Sequence, residues 1–396
     1  MPHPRRPSVT HTHSAAVALV PLDTTTSSSH SSKPDIPLSS DAELESDPPS
    51  TPPHHIPQNH LAILLSLISS SIIGVALRLG LISLHTYTPT PINPITYPNF
   101  VGCVIMGWAA AHRDQWQRAY YPLWTWWTTG LCGSLTTFSS WIVAAGKVMF
   151  GLEGAPGGGN NFLAGLAILL FGLASSLSGI ALGRHLALIP LLSPSAWHRD
   201  RTHTRDIILV PEGYDPTRLF RPPRRRWDLV NLFCAVAGLC VVAAVALGTT
   251  VGREVGLSML IGPLGTLLRF HLSTLNPRRP HFPVGTLLAN FIGTAVLSAT
   301  TASRLSGALA GSEWGCAVVG AVGDGFCGCL TTISTLCLEL FTISAYAPES
   351  SEATRKRAVG RAYVYGGVSV MGGMLIALAV LGGPWWGRSR EWTGGC

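Results

Sequence analysis

The sequence predicts an all-α membrane protein of about nine transmembrane helices, and three observations carry that expectation. Charged residues are 12% of the 396 positions and apolar types 47%, whereas soluble domains hold about 25% charge. The apolar residues gather in segments near the ~20 residues that cross hydrocarbon as a helix. The two halves of the chain also repeat one another. The 27 Lys and Arg against 20 Asp and Glu leave a net +7. That charge is spread thinly rather than massed on one face, so no nucleic-acid partner is expected.

Residues 1–60 are rich in Ser, Thr, Pro and His. Such a composition buries too little surface to offset chain entropy, and a disordered cytoplasmic tail is expected. The expected spans follow at 61–84, 95–112, 123–149, 161–189, 229–250, 255–275, 284–302, 314–343 and 361–383. The third and eighth carry several Gly and Thr, and breaks are expected within them. Of the nine Cys, eight lie in apolar stretches and none forms a CxxC pair. Buried thiols are expected rather than a disulfide frame or a zinc site.

The loops orient the chain. Segments 113–122, 190–228, 276–283 and 344–360 hold Arg113, Arg118, the run from Arg199 to Arg226, Arg278, Arg279, Arg355, Lys356 and Arg357. The alternate loops hold only Arg253 and Arg304. The positive-inside rule then puts the N-terminus in the cytoplasm, and nine spans put the C-terminus outside.

The repeat is specific in register. Gly74-Val-Ala-Leu-Arg78 returns as Gly265-Thr-Leu-Leu-Arg269, and Asn99-Phe-Val-Gly102 as Asn290-Phe-Ile-Gly293, both 191 residues on. Gly130-Leu-Cys-Gly133-Ser-Leu-Thr136-Thr137-Phe138-Ser139-Ser140 returns 195 residues on as Gly325-Phe-Cys-Gly328-Cys-Leu-Thr331-Thr332-Ile333-Ser334-Thr335. The expected organisation is a first four-helix repeat at 61–189, a basic cytoplasmic loop at 190–228 and a linking helix at 229–250. A second four-helix repeat follows at 251–384, then a tail at 385–396. Four spans return a chain to its starting side, so one added crossing makes the repeats antiparallel, with a site expected near the midplane at broken helices.

The motifs leave alternatives open. Gly-x-x-Gly-x-Leu-Thr-Thr either packs helices closely or breaks them and frees backbone carbonyls. In the second case, carbonyls from Gly133, Thr136, Gly328 and Thr331 face one small cation. Asn99 and Asn290 serve either an interhelical hydrogen bond or a desolvated anion. Thr286 lies one turn before Asn290, where the first repeat has Ile95. Phe138 either packs or offers its positive ring edge to an anion. Arg78 and Arg269, toward span ends, either snorkel or draw anions to pore mouths. Among intramembrane charges, Glu339 stands out, then Asp324 and Lys147. No Walker motif, redox loop or nucleophile elbow is present, so an enzyme is not expected.

These motifs together resemble the fluoride channel, or fluoride export, proteins, over essentially all of 61–383. The fused nine-span arrangement is similar to the fungal kind. The resemblance implies passive, selective fluoride conduction across the plasma membrane, giving fluoride resistance. It implies a structural Na+ held by carbonyls of Gly133, Thr136, Gly328 and Thr331. It implies a fluoride pathway along Asn99, Asn290, Thr286 and Phe138, with Arg78, Arg269, Glu339 and the motif hydroxyls Thr137, Thr332 and Ser334. Because the two repeats form the pair, a monomer is expected in the bilayer. The chain departs from the family pattern at Ile333, Trp141, Leu336, Ala144 and Ile95, so one working pore and one degenerate pore are expected. The rival expectations are a proton-coupled exporter of small cations or drugs centred on Glu339, and a non-transporting membrane scaffold.

Overall fold

A computed structural model describes residues 60–85, 92–152, 159–189, 226–249, 252–306, 311–345 and 351–382, all within one unit, Pro57–Cys396. The expected tail at 1–60, except His60, most of the basic loop and the C-terminal tail lie outside the described residues. Among the described residues every regular element is helical.

The first repeat begins with α1 (His60–Ser83) and α2 (Thr96–Ala111). Then α3 (Arg113–Thr125) runs through a π-helical segment, Trp126–Cys132, into the single turn α4 (Gly133–Leu135). After a break come α5 (Phe138–Met149) and α6 (Gly159–Leu186). The linking helix is α7 (Arg226–Gly248). The second repeat has α8 (Arg253–Ser273), α9 (Val284–Leu305) and α10 (Glu313–Ala321). It continues through the π-helical segment Val322–Cys327 into α11 (Gly328–Leu330), a break, α12 (Ile333–Ala345) and α13 (Glu352–Ala377).

Among the described residues, seven helices are long and apolar enough to cross a membrane. Two of the nine expected spans fall outside that set for physical reasons. The helix at Thr96–Ala111 has 16 residues, about 24 Å at 1.5 Å per residue and short of the ~30 Å hydrocarbon core. The third expected span, with Trp, Thr and Ser around its break and Lys147 near its end, is less apolar than the eighth, which is broken in the same way but still counts as Glu313–Ala345.

Each post-break helix packs across the repeat boundary. α5 touches α9 and α13 of the second repeat, and α12 touches α2 and α6 of the first. The turns α4 and α11 meet where the breaks cross. The linking helix lies on α1 and α8, the first helix of each repeat. Tyr120 donates to Asp228 at 2.6 Å, and Asn231 donates to the Tyr120 hydroxyl at 3.2 Å, tying the start of α7 to α3.

The thiols correct the sequence expectation in part. Cys103, Cys132, Cys327, Cys329 and Cys337 are free and buried, but Cys234 and Cys240 are free and exposed on α7. Cys316 is disulfide-bonded. It sits half-buried in the first turn of α10, where apolar neighbours in sequence do not imply a core position.

Candidate functional site

The site is built on the two breaks. Thr136 (φ −96, ψ 147) and Thr137 (φ −140, ψ 129) are extended, and Thr331 repeats this at φ −92, ψ 154. The Thr137 hydroxyl accepts from the Ser140 amide at 3.3 Å, and the Thr332 hydroxyl from the Thr335 amide at 3.3 Å. Threonine is well suited to start a helix in this way, so the motif both ends one helix and caps the next.

The asparagines clasp the breaks. The Thr137 amide donates to Asn99 Oδ1 at 2.9 Å, and Asn99 Nδ2 donates to the Thr137 carbonyl at 3.2 Å. In the second repeat the Thr332 amide and carbonyl engage Asn290 at 2.9 and 3.3 Å. One side chain thus serves both polar groups of a residue that has left the helix. Gly102 and Gly293 make the approach possible, because a Cβ on either meets the Thr136 or Thr331 side chain.

The arginines tie the repeats together. Arg78 Nη1 donates to the Ser134 carbonyl at 2.7 Å, and Nη2 to the Asp324 carbonyl. Arg269 Nε donates to the Cys329 carbonyl at 2.9 Å, and Nη2 to the Thr129 carbonyl at 2.6 Å. Ser134 and Cys329 are 195 residues apart, as are Thr129 and Asp324, so the four bonds form two equivalent pairs with the halves exchanged. Gly133 lies against the Arg269 guanidinium and Gly328 against that of Arg78, where a Cβ has no room. Both lie toward the ends of α1 and α8 as expected, but their burial goes against the snorkelling alternative: Arg78 is 2% and Arg269 5% exposed. A guanidinium with five donors finds more partners at a crossing of backbones than at a lipid headgroup.

Between the breaks lies a cluster of hydroxyls. Thr136 Oγ1 is 3.2 Å from Thr332 Oγ1 and 3.0 Å from Ser334 Oγ. Thr331 Oγ1 is 3.0 Å from Thr137 Oγ1 and 2.9 Å from Ser139 Oγ. The exchange relation holds again.

The backbone accounting at the crossing identifies unclaimed oxygens. In a continuous helix the carbonyl of Gly133 accepts from the Thr137 amide, and that of Thr136 from the Ser140 amide. Those amides go instead to Asn99 and to the Thr137 hydroxyl. The carbonyls of Gly328 and Thr331 lose the amides of Thr332 and Thr335 in the same way. The carbonyls of Leu135 and Leu330 lose theirs too, the amides of Ser139 and Ser334 going to the Thr331 and Thr136 hydroxyls. Six carbonyls at the crossing are therefore deprived of their helical donors, hard oxygens that include the four expected to face a small cation.

A second polar cluster belongs to one half alone. Glu339 Oε1 accepts from Thr286 Oγ1 at 2.6 Å and from Asn276 Nδ2 at 3.2 Å, and Oε2 accepts from Tyr365 Oη at 2.7 Å. Asn276 also joins Thr286 directly, through Oδ1 to its amide at 3.2 Å. Sequence reasoning singled out Glu339 and Thr286 but missed Asn276 and Tyr365. The pair Tyr365 and Ser369, polar at i and i+4 within an apolar span, was the available signal. In the first repeat the positions matching Thr286 and Glu339 are Ile95 and Ala144, which have no hydroxyl or carboxylate.

Phe138 stands apart from this cluster. Its ring lies edge-to-face with Trp141, centroids 5.7 Å apart, and against Gly373 of α13. Trp141 is held by its own bond to the Ile168 carbonyl at 3.0 Å. Phe138 thus comes from the first repeat but faces helices of the second, while its counterpart Ile333 opens α12, which packs on α2 and α6. Of the other charges, Asp324 contributes its backbone carbonyl to Arg78, and Lys147 lies in the last turn of α5.

Long apolar helices and two crossed helix breaks, each clasped by an asparagine and bridged by an arginine, make this an all-α membrane protein. The chain belongs to the family described as CrcB-like protein, Camphor Resistance (CrcB), which matches at residues 65–181 and 256–382. It is similar to Fluoride export protein 1 of Neurospora crassa, 32% identical across 83% of this chain and 66% of that protein, just under two thirds of its length. Fluoride export protein 1 of Candida albicans is 29% identical across 72% of this chain and 73% of its own. The fluoride-specific ion channel FluC of Methanopyrus kandleri is 35% identical, and 95% of it aligns with only 35% of this chain, about the extent of one repeat. No solved structure matches this chain.

Proposed function

We propose that this chain is a fluoride-selective channel that lets fluoride leave the cytoplasm across the plasma membrane. The family, the names carried by its relatives and one observation support this reading. The observation is that Thr286, Asn276 and Tyr365 all aim their donors at the single carboxylate of Glu339, and that Thr286 shares α9 with Asn290. A small, strongly hydrated anion needs such a set of donors in place of water. When the Glu339 side chain swings away, those donors are released to an entering fluoride. Asn290 spends one N–H on the Thr332 carbonyl and keeps its second for the anion. Phe138 offers a ring edge on the same side. Thr137, Thr332 and Ser334 hold the breaks in place beside the pathway. Arg78, Arg269 and Asn99 act through the framework, with the guanidiniums adding positive potential at the crossing.

On this reading the conducting pathway runs between α5, α9 and α13. The exchanged space between α12, α2 and α6, lined by Ile333 and Ile95, is the degenerate one. The repeats lie antiparallel, with the N-terminus cytoplasmic and the C-terminus outside, and one chain suffices as a monomer in lipid. The carbonyls of Gly133, Thr136, Gly328 and Thr331 would hold a structural Na+, whose charge fixes the crossing. Replacing Na+ with a bulky organic cation during purification is expected to lower the melting temperature; an unchanged melt removes the ion from the account. Hydrogen fluoride enters cells neutral and dissociates in the less acidic cytoplasm. The inside-negative potential then drives the anion out with no coupled ion.

Purified protein in liposomes, read with a fluoride electrode, tests the proposal. Fluoride efflux that requires valinomycin to balance charge is the expected result. The half-buried Glu339 carboxylate, inside the membrane-spanning part of the chain, favours one rival, a proton-coupled exporter. Efflux driven by a pH gradient without valinomycin supports that rival instead.

A further inference from the structure

Beyond Asn290, α9 continues its polar face. Thr286, Asn290, Thr294 and Ser298 recur every four residues, and their exposures are 3, 0, 0 and 0%. A buried hydroxyl in a helix ordinarily donates back to a carbonyl three or four residues earlier. Ser66, Ser70, Ser176, Thr294 and Ser369 all do so in this protein. Ser298 does not: its Oγ is buried without a hydrogen-bond partner among the described residues. A buried donor left unmade is costly and calls for an explanation. Thr294 spends its proton on the Asn290 carbonyl at 2.7 Å, so Ser298 is the first free hydroxyl donor on this face after Asn290. Eight residues of helix put it about 12 Å further along the axis.

The exchanged face is closed at the same depth. The position matching Ser298 is Gly107, where the α6 backbone at Ile180 packs so closely that a Cβ has no room. Ser258 on α8 is the other buried serine without a partner, but it lies on a different helix and outside this register.

We propose that the Ser298 hydroxyl is a second donor site for the permeating anion, receiving fluoride after Asn290 on the way out of the membrane. The proposal rests on the fluoride-channel reading and assigns that pathway its continuation along α9. In proteoliposomes with valinomycin, Ser298→Ala is expected to slow fluoride efflux about tenfold, the effect of one lost hydrogen bond to an anion. Its thermal melt in detergent is expected to stay at or above that of the wild type, because an unpaired buried donor has been removed. Ser298→Thr keeps the hydroxyl and is expected to retain at least half the flux, and Ser258→Ala to retain all of it. If Ser298→Ala yields no folded protein, Ser298→Cys keeps the volume with a weaker donor and carries the same tenfold expectation. Efflux within twofold of wild type overturns the inference while leaving the channel reading intact. So does an equal loss in Ser298→Ala and Ser258→Ala. A wild-type protein that carries no fluoride overturns the channel reading and this inference with it.

Discussion

The matched faces of α2 and α9 differ in an instructive way. From the residue that caps α2 onward the series is Ile95, Asn99, Cys103 and Gly107; along α9 it is Thr286, Asn290, Thr294 and Ser298. Only the asparagine is common, and in both halves it does the same thing: it clasps the extended threonine of the break. The arginines likewise bridge the repeats in equivalent pairs. What the halves share is therefore framework, and what only one half keeps is the polar lining. Symmetry marks the parts that hold the crossing together, and on the proposed function its loss marks the wall that conducts.

The largest expected effect tests the shared part. Arg78→Met and Arg269→Met each leave two buried carbonyls without a donor, at about 1–3 kcal/mol apiece. Both are expected to destabilise the protein by about 3 kcal/mol or more, to similar extents, in a detergent melt followed by tryptophan fluorescence. Destabilisation by one but not the other breaks the equivalence of the two bridges.

Asn99→Ala and Asn290→Ala come next. Each removes two bonds to a break and is expected to cost about 2 kcal/mol of stability. Fluoride efflux per folded molecule is expected to fall further for Asn290→Ala, because on the proposed function that amide also meets the anion. Equal loss of efflux in the two variants assigns both asparagines to framework alone.

The smallest structural change sharpens the comparison most. Thr286→Val removes one hydroxyl from the Glu339 cluster, and efflux is expected to drop about tenfold. Ile95→Val, at the matched position of α2, is expected to leave efflux unchanged. A slow Ile95→Val variant places conduction on the other side as well.

Much of this architecture was legible in the sequence, and the reasons it stopped are physical. The breaks were readable because Gly-x-x-Gly-x-Leu-Thr-Thr is poor helix material, and doubling it in register removed chance. The roles of Arg78 and Arg269 were not readable, since their partners are backbone carbonyls up to 246 residues away, and a carbonyl leaves no mark in a sequence. The same holds for Asn276 and Tyr365, which reach Glu339 from a loop and from another helix. Which half supplies which wall was undecided because it depends on α5 crossing to α9 and α13, a packing choice with no local signature. The scarcity of charge pointed to lipid, and the structure turns the few buried charges into braces.

The central claim is that fluoride moves passively along the α9 side. Valinomycin-dependent fluoride efflux from liposomes, measured side by side for wild type, Thr286→Val and Ile95→Val, tests it most directly. The account predicts rapid efflux for wild type and Ile95→Val and about tenfold slower efflux for Thr286→Val. Wild-type efflux no faster than from empty liposomes, or equal rates in all three proteins, contradicts it.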